Sequence, residues 1–223
     1  MATWLRFYGR RGRLLRWLAI VLLAVIVVIY RIGCRPPTPE GPRSRWAVVR
    51  VLDGDTVELP GGERLRLRSI DTPEKDEPFY EEATALLDSL VAGRTLRVAM
   101  HPPRRDKYGR LLGYAYVDDT LLVERVLVSR GLAYVYLFED TDSDRPEVQL
   151  LLAAQREAID ARRGLHGLER APETHYLARP GSFRFHRPMC GTLDGADTAL
   201  MIHLDSREDA LRLGLSPCRR CKP

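Results

Sequence analysis

Apolar and polar positions along the chain fall into three regimes. Residues 17–30 are fourteen consecutive apolar positions, preceded by a run holding Arg6, Arg10, Arg11, Arg13 and Arg16. A membrane span takes about 17–25 residues and a signal-peptide core about 7–15, so length leaves both open. Leu14 and Leu15 extend the run if Arg16 snorkels, Trp17 and Tyr30 suit interface anchors, and no A-x-A cleavage site follows. Residues 1–33 are therefore read as a basic N-terminus and an uncleaved transmembrane signal anchor, with the N-terminus cytoplasmic and the remainder outside. Residues 34–45 form a polar, Pro-rich linker. From Trp46 the pattern becomes that of strands: β-branched runs at 47–52 and 56–59, period-two alternation over 64–70, then 95–100 and 111–117, with 133–138 extended. Helical spacing marks 81–91, 122–130 (closed by Gly131) and 146–163. Five short strands and about three helices over 46–168 predict an α+β fold built on a five-stranded barrel of the OB type.

The third regime follows a linker at 169–180. Residues 181–223 are rich in turn signals and carry His186-x₃-Cys190 and Cys218-x₂-Cys221. One imidazole and three thiolates are the donor set of a closed structural Zn²⁺ site. Two alternatives stay open: a disulfide among Cys190, Cys218 and Cys221, and His203 in place of His186. Cys34 borders the apolar run and is left outside this set.

Charge corrects a first impression. The net charge of +5 suggests nucleic-acid affinity, but residues 1–45 hold +8 of it and residues 179–223 hold +3, leaving −6 on residues 46–178. The central domain is acidic, so its formal charge is no argument for general DNA binding. Its acids are patterned instead. Asp53 and Asp55 flank Gly54, Asp71 and Glu74 bracket Thr72-Pro73, and the turn signal at residues 60–63 folds the second run back on the first. Carboxylates crowded in this way repel unless a cation lies among them, and hard oxygen donors suit Ca²⁺ or Mg²⁺. A divalent ion beside arginines points to phosphate chemistry. Each motif alone also has a plain reading, as a hairpin turn, a solvated strand arginine, a helix start or a mobile basic loop.

Taken together and in order, Asp53-Gly-Asp55-Thr56, Arg66-x₄-Asp71-Thr72-Pro73-Glu74 and Asp106-Lys107-Tyr108-Gly109-Arg110 resemble the thermonuclease (staphylococcal-nuclease-like) family over residues 46–167. The resemblance implies a barrel of the OB type. It makes Asp55 and Asp71 side-chain ligands of Ca²⁺, joined by the carbonyl of Thr72. Glu74 is implied to orient or deprotonate the attacking water, and Arg66 and Arg110 to grip the scissile phosphate. Lys107 and Tyr108 match positions that contact a terminal phosphate and base, and Asp53 a hydrogen-bonding position behind the metal. The family's nucleotide-cradling tyrosines are shifted here, so Tyr134 and Tyr136 are either base contacts or core and rim aromatics. Residues 181–223, with Phe185 before the first ligand and a helix start at 205–210, resemble the small zinc module of the adaptive-response DNA-methyl-phosphotriester repair proteins. That family's first ligand is a methyl-accepting cysteine. His186 puts methyl acceptance out of reach, leaving a structural site with a basic edge of Arg187, Arg219, Arg220 and Lys222.

The expectation is thus a membrane-anchored, extracytoplasmic Ca²⁺-dependent nuclease acting on DNA, with RNA as a further candidate substrate. It would leave 3′-phosphate ends and use no small-molecule cofactor. A non-catalytic nucleic-acid-binding module and a surface adaptor docking through the zinc module are the alternatives.

Overall fold

A computed structural model describes residues 43–138, 141–171 and 173–223. The expected membrane anchor and most of the Pro-rich linker lie outside these residues. No helix among the described residues is long and apolar enough to cross a membrane.

The first strand begins inside the stretch expected to be linker. Strand β1 (Arg43–Ala47) pairs antiparallel with β6 (Thr95–Ala99), with Trp46 opposite Leu96 and packed against the core. After β2 (Arg50–Asp53), β3 (Thr56–Glu58) and β4 (Arg64–Leu67), the chain enters β5 (Ile70–Asp71), helix α1 (Tyr80–Val91) and β6. There follow β7 (Leu111–Val117), β8 (Leu121–Leu122), α2 (Val123–Ser129), β9 (Tyr134–Val135) and α3 (Pro146–Asp160). The main sheet runs β1-β6-β7-β4-β3-β2, with β8 on β7. Its end strands, β1 and β2, do not pair with each other, so it is a seven-stranded open sheet and not the closed five-stranded barrel expected. The reason lies at Ser69. The alternation over 64–70 reads as one strand, but Ser69 takes a left-handed φ of 61°. The chain leaves the sheet there, and Ile70 and Asp71 pair instead with Val135 and Tyr134 of β9 in a separate ladder.

Burial follows the alternation. Leu65 and Leu67 of β4 point inward, as do Val57, Leu96 and Val98, and Tyr114 of β7 is fully buried with its hydroxyl 2.8 Å from Ser69 Oγ. Helix α1 buries Ala83, Leu87 and Val91 at four-residue spacing, one face of a helix. Each leucine so enclosed contributes about 1.5–3 kcal/mol of transfer free energy. Helix α3 starts with Pro146, where no intrahelical donor is lost, and buries Val148, Leu151 and Leu152.

Glu124 sits fully enclosed on α2, and both carboxylate oxygens accept from the Ala115 amide, at 3.0 and 3.3 Å. Burial pushes its pKa up to about 8, against a usual 4.5. A raised folded-state pKa means the folded protein holds a proton that the unfolded chain has released. The stabilisation is complete below about pH 4.5 and is lost as pH rises through about 8. Glu124→Gln, permanently neutral, is therefore expected to flatten the loss of stability between these values. Urea midpoints from pH 5 to 9 check this, and parallel curves for the two proteins would contradict it.

The C-terminal segment builds a second, four-stranded sheet in the order β12 (Ile202–Leu204), β10 (Tyr176–Ala178), β11 (Arg184–His186), β13 (Ser216–Pro217), with helix α4 (Arg207–Arg212) between β12 and β13. The helix start expected at 205–210 is present, capped by Ser206, whose Oγ accepts from the Asp209 amide at 3.0 Å. This segment packs on α3. Gln155, fully buried, accepts from the Val135 amide at 2.7 Å and donates to the Leu211 carbonyl at 2.6 Å, joining β9 to α4.

Candidate active site

The β2–β3 turn places the first acids. Gly54 has no room for a side chain, because a Cβ there would lie 2.8 Å from Thr72 Oγ1 and 2.9 Å from Ala83 Cβ. The glycine between the two aspartates is thus required by the close approach of the Asp71–Thr72 segment and α1, beyond any need of the turn. Asp53 Oδ1 accepts from the Asp55 amide at 3.0 Å and fixes its backbone. Burial, then the charge of Asp55, push the Asp53 carboxyl up from its usual range. Asp55 is 6 % exposed. Its Oδ2 accepts from the Thr72 amide at 3.3 Å and the Thr72 hydroxyl at 3.1 Å, and lies 2.8 Å from Arg66 Nη2.

Register explains Arg66. Thr56 pairs with Arg66 across β3 and β4, so the arginine stands beside Asp55. The same Nη2 lies 3.2 Å from Asp71 Oδ1, so one guanidinium nitrogen bridges the two aspartates. Burial raises the Asp71 carboxyl, opposed by Arg219 and then Arg66. Asp55, buried, and Asp71, partly buried, are drawn onto one cation and offer oxygens of the kind that ligate a hard divalent ion. Glu74 stands on the rim, 70 % exposed. Of the three alternating arginines, Arg64 is exposed, while Arg68 is buried and donates to the carbonyls of His101, Pro102 and Pro103. Arg68 thereby pins the base of the basic loop.

That loop is folded on Asp106, which accepts from the amides of Tyr108 and Arg110 and pairs with Arg110 Nε at 2.7 Å. Lys107 and Arg110 lie 5.0 and 5.6 Å from the ring of Tyr108, a residue 72 % exposed. Opposite them is an aromatic wall, with Tyr136 and Phe138 edge to face at 4.8 Å and Arg184 over Tyr136 at 3.5 Å. Together these surround a cleft of about 1210 Å³ lined by Asp55, Arg66, Glu74, Tyr108, Arg110 and Tyr136, among others. Tyr134 is elsewhere. Its hydroxyl accepts from Arg207 at 2.7 Å, making it part of the packing between the two sheets.

The His186, Cys190, Cys218 and Cys221 ligand atoms all lie within 4.8 Å of one another, and the three cysteines are free thiols. Zn–S bonds of about 2.3 Å at tetrahedral angles set sulfurs about 3.8 Å apart, so the cluster has the size of a zinc site. Burial, then the charges of Arg179 and Arg184, lowers the His186 pKa, the direction that favours the neutral imidazole a metal ligand must be. Thr192 Oγ1 lies 3.0 Å from both His186 Nδ1 and Cys190 Sγ. His203 is not in the cluster. It stacks on His175, with its Nε2 3.1 Å from the Thr198 carbonyl.

Paired carboxylates, bridging and flanking arginines and a rim glutamate at one cleft define a phosphodiester-hydrolase type of centre. Residues 64–166 match the family described as staphylococcal nuclease homologue. A protein of Escherichia coli O157:H7 described as an uncharacterized endonuclease is 41 % identical over 121 residues, covering 53 % of this chain and 74 % of that protein. Protein ParB of Escherichia coli is 34 % identical over 158 residues, 66 % of this chain and 81 % of its own. Micrococcal nuclease of Shigella flexneri is 28 % identical over 153 residues, 64 % of this chain and 83 % of its own. The chain belongs to the staphylococcal nuclease homologue family. The family match takes in Arg66, Asp71, Thr72, Glu74 and Arg110 but stops short of Asp53 and Asp55, and it ends before the His/Cys cluster.

Proposed function

We propose that this chain is a Ca²⁺-dependent nuclease that hydrolyses phosphodiester bonds of DNA, with RNA as a second substrate class, and leaves 3′-phosphate ends. Residues 1–33 would anchor it in a membrane with the N-terminus cytoplasmic and the catalytic domain outside. The observation that carries the nuclease reading is the convergence of Asp55 and Asp71 on Arg66, with Asp55 and Arg66 lining a cleft that also holds Glu74 and Arg110.

Asp55 and Asp71, with the Thr72 carbonyl, would hold the calcium ion. Bound Ca²⁺ supplies positive charge that screens the carboxylates and polarises a phosphoryl oxygen. Glu74, exposed on the rim, takes a proton from water as its oxygen attacks phosphorus. The bond to the 5′-oxygen breaks, that oxygen takes a proton from solvent water, and the phosphoryl group stays on the 3′-oxygen. Arg66 and Arg110 present planar forks to the equatorial oxygens as charge builds there. Lys107 and Tyr108, on the loop opposite the aromatic wall, bind the adjoining nucleotide. Zn²⁺ would occupy the His186, Cys190, Cys218 and Cys221 cluster as a structural ion.

End-group analysis tests the chemistry. Fragments from a Ca²⁺ digest of a defined oligodeoxynucleotide are expected to resist 3′ extension by polymerase until treated with a 3′-phosphatase. Fragments extendable without that treatment would place the leaving group on the wrong side and overturn the mechanism.

A further inference from the structure

The cleft takes a side chain from the C-terminal segment. Arg219 lies between the ligand cysteines Cys218 and Cys221, and its fork meets Asp71, with Nη2 at 2.5 Å from Oδ1 and Nε at 3.4 Å from Oδ2. The same Nη2 is 3.6 Å from Glu74 Oε1, and the guanidinium lies 5.6 Å from the Tyr136 ring. Lys222 adds a contact at the rim, its Nζ 2.5 Å from Glu77 Oε1. Neighbouring Arg220 lies beside Gly191, on its own side of the segment.

The loop that carries Arg219 has little freedom. The Cys218 amide donates to the Phe185 carbonyl at 3.0 Å and the Lys222 amide to the Cys218 carbonyl at 2.9 Å. Arg187 Nε donates to the Cys221 carbonyl at 3.0 Å. Both ends of the loop are cluster thiols, so the cluster fixes where Arg219 emerges. Its side chain is nevertheless 58 % exposed, free to turn from Asp71 toward the open cleft.

Charge shows what it is for. Asp55, Asp71 and Glu74 bring three negative charges, as many as Arg66 and one divalent ion can balance, and Asp53 stands beside Asp55 as a fourth carboxyl. Arg110 stands on the basic loop, paired through Nε with Asp106, and is paired with none of these three carboxylates among the described residues. A phosphodiester adds a further negative charge to a domain already acidic over residues 46–178. Arg219 is the remaining arginine at the carboxylates, and its fork matches two phosphate oxygens as well as it matches a carboxylate.

We propose that Arg219 is a substrate-binding residue of the nuclease centre, delivered by the His186–Cys190–Cys218–Cys221 site, and that it passes from Asp71 to a backbone phosphate when a divalent ion occupies the aspartates. This rests on the nuclease reading above. It gives the metal-ligand segment a role in the reaction: holding one guanidinium at the carboxylates of the cleft.

The test uses the full chain and its Arg219→Ala and Arg220→Ala variants, which lose equal charge one residue apart. KM and kcat on DNA are measured in saturating Ca²⁺. Zinc content is measured alongside, as is Ca²⁺ affinity by calorimetry. Anisotropy of a single-stranded oligodeoxynucleotide in Ca²⁺, in a Glu74→Gln background, reports binding without turnover. Arg219→Ala is expected to raise KM and the oligonucleotide Kd about tenfold. Zinc content should be unchanged, Ca²⁺ affinity equal or tighter, and Arg220→Ala close to the parent. Cys221→Ser, which removes a ligand, should show the same KM defect, and adding Arg219→Ala to it should do nothing more. If Cys221→Ser does not fold, the Arg219 and Arg220 comparison still decides. KM and Kd within twofold of the parent in Arg219→Ala, or equal losses in both arginine variants, would overturn the proposal. A parent chain that binds the oligonucleotide through Arg219 but does not cut DNA would sink the nuclease reading and leave this contact standing.

Discussion

Glu74→Gln is expected to lower kcat by about 10²–10⁴-fold, the usual contribution of a positioned general base, while oligonucleotide binding and thermal stability stay near the parent values. The side chain is 70 % exposed, and its ion pair with Arg219, at 3.6 Å, is too long and too solvated to hold the fold together. Its effect must therefore lie in the reaction and not in packing. Glutamine keeps the size and one acceptor oxygen but cannot take a proton. Single-turnover cleavage in saturating Ca²⁺ measures the loss. A Gln variant within threefold of the parent would mean that water is activated elsewhere.

Arg66→Ala carries the second large effect, and it acts twice. The guanidinium is 12 % exposed and bridges Asp55 and Asp71, so it both holds the two carboxylates and, in the proposed mechanism, meets charge growing on phosphorus. Loss of a transition-state donor of this type lowers kcat by about 10²–10³-fold. Removing it also leaves two enclosed carboxylates without their shared cation, which is costly when no other positive charge replaces it. Bound Ca²⁺ would supply that charge. The expected result is a rate loss in Ca²⁺ together with a fall in Tm that is much larger in EGTA than in Ca²⁺. Arg66→Lys should recover stability more than rate, since a lysine restores the charge but not the fork. Equal falls in Tm with and without Ca²⁺ would show that no ion sits on these aspartates.

Much of this centre was legible before any coordinates, and the reason is local. Asp53, Asp55 and Arg66 lie on adjoining strands and turns, so their meeting needs only two hairpin registers, and Asp71 and Thr72 follow Arg66 within six residues. Helices at 80–91 and 146–160 and the strand at 111–117 follow from apolar spacing along single segments. The departures have non-local causes. The alternation through 64–70 gives no sign that Ser69 would turn left-handed, because β9, 65 residues on, is what captures Ile70 and Asp71. Strand β1 was hidden in a Pro-rich stretch, since its pairing partner is β6. Arg68 looked equivalent to Arg64 and Arg66 in the period-two pattern, yet it holds the loop at 101–103. Arg219 was visible only as one member of a basic edge. Its contact with Asp71 spans 148 residues and follows from how α4 docks on α3 and β13 pairs with β11, which no motif spacing records.

Digestion of single- and double-stranded DNA by the intact chain, in Ca²⁺ or in EGTA and beside the Glu74→Gln variant, tests the central claim most directly. The account predicts cleavage in Ca²⁺, none in EGTA, and a loss of at least a hundredfold in the variant. DNA binding with no cleavage under any divalent ion would contradict it and make the cleft a binding site alone.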